Sequence, residues 1–210
     1  MFHHERDWRR FIVARGILRI LLGDYTSTSP ESVGLQVLPG GKPALTTDDG
    51  LHFNLSHSGE LALFAFADRE VGIDVERLSS NDDMARVATH FFSAHEAALF
   101  NQLTGSERTG FFFRTWVRKE AYLKAIGDGF AVEPSRLTID TSPAGSVRIE
   151  NREGTQVTDA RYLVHDLDDI DNHVAAIATT AADESGSDLP VSRPIVLQEF
   201  SPHILAGIQA

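Results

Sequence analysis

Apolar residues recur at Phe11, Ala14, Ile17, Leu18, Leu21 and Leu22, a spacing that places them on one face of a helix. The pattern predicts a helix over 5–22, with Gly23-Asp24 as its stop. The period then shortens to two. Residues 33–38, VGLQVL, alternate like a short strand, and PGGKP at 39–43 is turn chemistry. Further strands are predicted near 51–55, 60–67 and 71–76, with DRE turning between the last two. In VGIDVE, 71–76, Val71, Ile73 and Val75 fall on one face, Asp74 and Glu76 on the other.

A helix is predicted to start at Asp82 or Asp83. Ser93-Ala94-His95-Glu96 fits a capping box, and that cap alone accounts for Glu96. Residues 107–126, containing FFFRTWVRKEAYLKAI, read as a long helix ended by Gly127-Asp128-Gly129. Alternating segments near 136–140, 146–150, 160–166 and 173–179 read as antiparallel strands. DESGSDLP at 183–190 is linker-like, and the tail beyond it has no legible pattern. Helix, strands, helices, strands is an α+β order rather than a regular βαβ one.

Composition adds limits. The chain has 210 residues, 42% of them hydrophobic with 13 Phe, enough for one large domain or two small ones sharing a core. The absence of cysteine excludes disulfides and thiolate chemistry. There is no 18-residue apolar run, and MFHHERDWRR is charged rather than signal-like, so a soluble, cytoplasmic protein with no membrane partner is expected. A net charge of −11 argues against a general nucleic-acid binder, so any anionic ligand requires local cations or a metal.

The candidate chemistry is scattered. Asp74 and Glu76 on one strand face fit either a solvated acidic surface or a pair of oxygen ligands for Mg²⁺. Glu120 and Lys124 are one helical turn apart, which fits an ordinary surface ion pair as well as a working pair. Lys42 sits in a stiff turn that lacks the GxxxxGK[ST] pattern of a phosphate loop. Ser56-His57-Ser58 is placed where a strand is predicted to end. With no cysteine and no GxSxG elbow, a hydrolase nucleophile is not indicated there.

Taken in order, GKP, FNLSHSG, VGIDVE, FFSAHEAALF and WVRKEAYLKAIGDGF resemble the 4′-phosphopantetheinyl transferases of the Sfp type, over residues 2–130. The resemblance implies a pseudo-twofold arrangement of two similar α+β halves, 1–70 and 71–182, with 183–210 as linker and tail. It implies a monomer that moves the phosphopantetheine arm of coenzyme A to a serine of an acyl or peptidyl carrier protein and releases 3′,5′-ADP. Asp74, Glu76 and Glu120 resemble the Mg²⁺ ligands, with Glu120 also the base for the carrier serine. Lys124 resembles the cation on the diphosphate. Lys42, Ser56 and His57 resemble contacts to the 3′-phosphate, and Arg6 a further coenzyme A contact. The two-half length suggests polyketide or non-ribosomal peptide carriers, with Arg114 and Arg118 as candidate docking cations. Family members carry a further strand and helix ahead of the segment matching FHHERD. Residues 1–70 are therefore expected to lack them, and a coenzyme A- and carrier-binding module without turnover is the alternative reading.

Overall fold

A computed structural model describes residues 5–47, 50–79, 83–127, 132–139, 146–150, 156–167 and 170–181. The first helix, α1 (Glu5–Thr26), is followed by a 3-10 turn at Pro30–Ser32 and the short antiparallel pair β1 (Leu35–Val37) and β2 (Pro43–Leu45). The alternating segments form the hairpin β3 (His52–Ser58) and β4 (Leu61–Ala67), and then β5 (Val71–Arg77). Helices α2 (Met84–Phe91), α3 (Ala94–Gln102) and α4 (Gly105–Ile126) come next. The strands β6 (Leu137–Ile139), β7 (Ser146–Glu150), β8 (Gln156–Leu167) and β9 (His173–Thr180) close the order.

The predicted stop at Gly23 is not one: α1 continues to Thr26. The glycine serves the return instead. A Cβ there would lie 2.6 Å from the Thr28 carbonyl, and the Thr28 N–H donates to the Gly23 carbonyl at 2.9 Å. The predicted stripe of α1 holds except at Phe11, which is exposed, and at Leu21, which is half-buried. Ala14, Ile17, Leu18 and Leu22 are buried with Val33, Leu45, Phe53, Phe64 and Phe66, so α1 covers one face of the β3–β4 hairpin.

Helix α4 covers a second, five-stranded antiparallel sheet in the order β5-β9-β8-β7-β6. Val117, Ala121, Tyr122 and Ala125 pack on Leu137, Val164, Ala176 and Ala178. A 22-residue helix on antiparallel strands thus occurs twice, α1 on the two-stranded β3–β4 hairpin and α4 on the five-stranded sheet. The FFF run supplies a third cluster, in which Phe112 and Phe113 meet Phe92, Phe100 and Ala88 beneath α2 and α3.

Strand β5 lies between the β3–β4 hairpin and α4. Val71, Ile73 and Val75 pack against Leu63 and Ala65 of β4, while the opposite face meets α4. An exposed acidic strand face is thereby ruled out, since Asp74 is only 4% exposed. Gly72 makes the approach of α4 possible: a Cβ there would stand 2.1 Å from the Ala121 carbonyl oxygen and 2.3 Å from the Ala125 nitrogen. Gly127, at φ 68°, ends α4 in the left-handed region that favours glycine, and its N–H donates to Leu123 at 3.2 Å.

The capping box at Ser93 and Glu96 is present, but the cap does not exhaust Glu96. Its Oε2 also lies 2.6 Å from the ammonium of Lys119, whose side chain is fully buried. Lys119 further donates to the carbonyls of Phe91 (2.9 Å) and Pro134 (2.7 Å). One lysine of α4 thus ties together the end of α2, the start of α3 and the turn at Pro134–Arg136.

Candidate active site

Between α1, β3, β5 and α4 lies a cavity of about 640 Å³. Strand β5 projects Asp74 and Glu76 into it, and α4 contributes Glu120 and Lys124, one turn apart. His57 and Ser56 enter from β3 and Lys42 from the turn ahead of β2. Seven of the eight singled-out residues therefore line one cavity. Arg6 is in the first turn of α1, and its side chain lies outside the described residues.

The central contact joins strand to helix. The Lys124 ammonium lies 2.6 Å from Asp74 Oδ1 and also donates to Ser56 Oγ (3.1 Å) and the Ile73 carbonyl (3.3 Å). Ser56 donates to the same Asp74 oxygen at 2.8 Å. The other oxygen, Oδ2, is buried and has no hydrogen-bond partner among the described residues. Burial raises the Asp74 carboxyl above the usual carboxylate range, opposed by Lys124. Burial also raises Glu76, and Ser58 resists the shift by donating to its Oε2 at 2.7 Å. Glu120 is raised by burial first and by Asp74 second.

Among the described residues no three acidic or histidine side chains converge tightly enough to form a ready-made metal cage. The donor chemistry nevertheless fits a hard divalent cation. Three carboxylates face one cavity, burial disfavours the charged form of each, carboxylate neighbours add to this at Glu76 and Glu120, and one buried carboxylate oxygen lacks a partner among the described residues.

Two of the three expected phosphate contacts are engaged elsewhere. The Lys42 ammonium donates to the carbonyls of Val71 (3.1 Å) and Ala125 (2.7 Å), and burial lowers its pKa. It ties the 39–43 turn to β5 and to the end of α4. The strand expected to end at 55 runs to Ser58, so Ser56-His57-Ser58 is inside β3. Alternation there turns Ser56 and Ser58 toward β5 and leaves His57 exposed on the other face, at the cavity. Arg118 is likewise engaged, in a two-pronged pair with Asp166 at 2.7 and 2.5 Å, whereas Arg114 is exposed.

The sequence reading missed Arg15, a cation that lines the cavity from α1 and sits over the Phe11 ring at 5.3 Å. Its signal was present: Phe11 and Arg15 are four residues apart, on one helix face.

A family model described as the 4′-phosphopantetheinyl transferase superfamily matches residues 70–178, which carry β5 through β8 and most of β9. The chain is 38% identical over 181 residues to the 4′-phosphopantetheinyl transferase HetI of Nostoc sp., covering 84% of this chain and 73% of that protein. It is 26% identical over 149 residues to the 4′-phosphopantetheinyl transferase Sfp of Bacillus subtilis, covering 71% and 66%. A solved holo-(acyl-carrier-protein) synthase from Bacillus anthracis in complex with CoA aligns with 53% of this chain and 94% of its own, at 21% identity and a TM-score of 0.39. On the extent of the family match and the likeness to HetI, this chain belongs to the 4′-phosphopantetheinyl transferase superfamily.

Proposed function

We propose that this protein transfers the 4′-phosphopantetheine group of coenzyme A to a serine of an acyl or peptidyl carrier protein, with Mg²⁺ required. The observation that carries this reading is the meeting of Asp74 and Glu76 from β5 with Glu120 and Lys124 from α4 in one cavity, with Arg15 and His57 at its wall. The relatives HetI and Sfp are named for the same transfer.

In the reaction the serine Oγ forms a bond to the phosphorus that bears pantetheine. The phosphorus–oxygen bond to 3′,5′-ADP breaks, and the serine proton must leave. Glu120 is the group proposed to receive it, because it lines the cavity on α4 one turn from Lys124 and opposite Asp74. Lys124, anchored by Asp74, Ser56 and the Ile73 carbonyl, presents a fixed cation to the diphosphate with little reorganisation. Arg15 and His57, both lining the cavity, are the groups proposed for the 3′-phosphate end. Asp74, Glu76 and Glu120 would hold Mg²⁺, which when bound supplies charge neutralisation on the phosphoryl and leaving group. A cytoplasmic monomer serving polyketide or non-ribosomal peptide synthases is the setting proposed. Among the described residues no helix is long and apolar enough to cross a membrane.

The test is the mass of an apo carrier protein after incubation with this protein, coenzyme A and Mg²⁺. A gain of one phosphopantetheine is expected, lost in Glu120→Gln and in excess EDTA. No gain with several carrier types, while coenzyme A still raises the melting temperature, would favour the binding module without turnover.

A further inference from the structure

Among the described residues, strand β5 is the outer strand of its sheet, paired with β9 on one side only. An open strand edge leaves N–H and C=O groups unpaired. Here the hairpin strand β3 runs beside that edge without joining its backbone ladder, and side chains take the ladder's place. Asn54 Oδ1 accepts from the Ile73 N–H at 2.9 Å, Ser56 Oγ from Val75 at 3.3 Å, and Ser58 Oγ from Arg77 at 3.0 Å. Every second residue of β3 answers every second residue of β5, so the period of two in both strands fixes their mutual register.

The two serines have a further consequence for the cavity. A hydroxyl has one proton and two lone pairs. Ser58 Oγ receives the Arg77 N–H, and Ser56 Oγ receives both the Val75 N–H and the Lys124 ammonium. Their own protons are then directed to the remaining partners, Asp74 Oδ1 for Ser56 and Glu76 Oε2 for Ser58. The backbone of β5 thus orients a hydroxyl on β3, and that hydroxyl orients the carboxylate one residue before the donating N–H.

We propose that Ser58 is a positioning residue that holds the Glu76 carboxylate in its cation-binding orientation, as Ser56 does for Asp74. The proposal rests on the reading of Glu76 as a Mg²⁺ ligand. Lost support of this kind weakens metal affinity by on the order of tenfold or more.

The experiment measures Mn²⁺ binding to the full chain by calorimetry, without substrate, beside the Mg²⁺ dependence of transfer. Ser58→Ala is expected to raise the Mn²⁺ Kd and the half-saturating Mg²⁺ concentration by about tenfold. The coenzyme A KM at saturating Mg²⁺ should stay within about twofold, while Ser58→Thr, which keeps the hydroxyl, restores both metal readouts. Ser58→Cys keeps the size with a weak donor and stands in should the alanine variant unfold. Glu76→Gln is the control. If it abolishes Mn²⁺ binding while Ser58→Ala and Ser58→Cys leave it unchanged, the positioning role is overturned and the metal reading stands. If Glu76→Gln itself leaves Mn²⁺ affinity unchanged, the metal reading fails and the proposal falls with it.

Discussion

Replacing Glu96 by Gln separates two jobs performed by one side chain. A glutamine at the third position of a helix still completes a capping box, so the bond from the Ser93 N–H, 2.8 Å in the parent, survives. What disappears is the negative charge beside Lys119, a residue with 0% side-chain exposure. Its cation is left with the neutral carbonyls of Phe91 and Pro134 and the new amide oxygen. Removing one member of a buried pair costs about 3–5 kcal/mol, whereas losing the cap through Ser93→Ala costs about 1 kcal/mol. At roughly 2–4 °C per kcal/mol for a chain of this size, Glu96→Gln should lower the melting temperature by about 6–20 °C. Adding Lys119→Met should recover much of that loss, because no orphaned charge remains.

The pH dependence fixes the sign. Burial already holds the Lys119 pKa below that of an unfolded lysine, and Glu96 opposes the shift. Without Glu96 the folded value falls further. The folded state then carries the full penalty below that value, and the penalty lifts as pH rises through it toward the unfolded lysine value. The deficit of Glu96→Gln relative to the parent should therefore shrink with rising alkaline pH in urea titrations. Equal losses for Ser93→Ala and Glu96→Gln, with a gap that ignores pH, would show that the cap is all that matters.

Gly72→Ala should cost about 3 kcal/mol of unfolding free energy in a denaturant titration, since its Cβ would meet backbone atoms of Ala121 and Ala125 that no rotamer change can move. His57→Ala should weaken use of coenzyme A by roughly ten- to a hundredfold and barely alter use of dephospho-coenzyme A; equal losses for both would remove the 3′-phosphate assignment. Asp74→Ala should reduce the transfer rate by a hundredfold or more, in the range of about 10²–10³ for a principal electrostatic group, with the far-ultraviolet spectrum preserved. Arg118→Glu should register in stability through the lost Asp166 pair, whereas Arg114→Glu should register in the carrier KM with stability unchanged. The reverse pattern would refute this division.

The element order was legible because its signals are local. The capping residues at Ser93 and Glu96, the left-handed stop at Gly127 and the two-residue alternation in VGIDVE each act within a few positions. The acidic pair and the Glu120–Lys124 turn were also legible as candidates, since their spacing follows from strand and helix periods. The partners of Lys42 and Lys119 were not. Each ammonium is held by carbonyls far along the chain, and backbone acceptors leave no mark in residue type. The turn of Ser56 toward Asp74 was missed for a related reason: it depends on β3 extending to Ser58, and polar residues inside a strand look like its end.

The contact at Gly72 bears on how such a protein chooses its substrates. Asp74 and Glu76 ride on β5, Glu120 and Lys124 on α4, and between the two elements main chain meets main chain. At Gly72 no side chain acts as a spacer, so no rotamer change there can alter the gap across which the two pairs face each other. Under the proposed function the reacting centre is a gauge of fixed aperture at that point. Variation in which carriers are accepted is then expected on the outer surfaces, where the Arg114→Glu exchange leaves the aperture untouched.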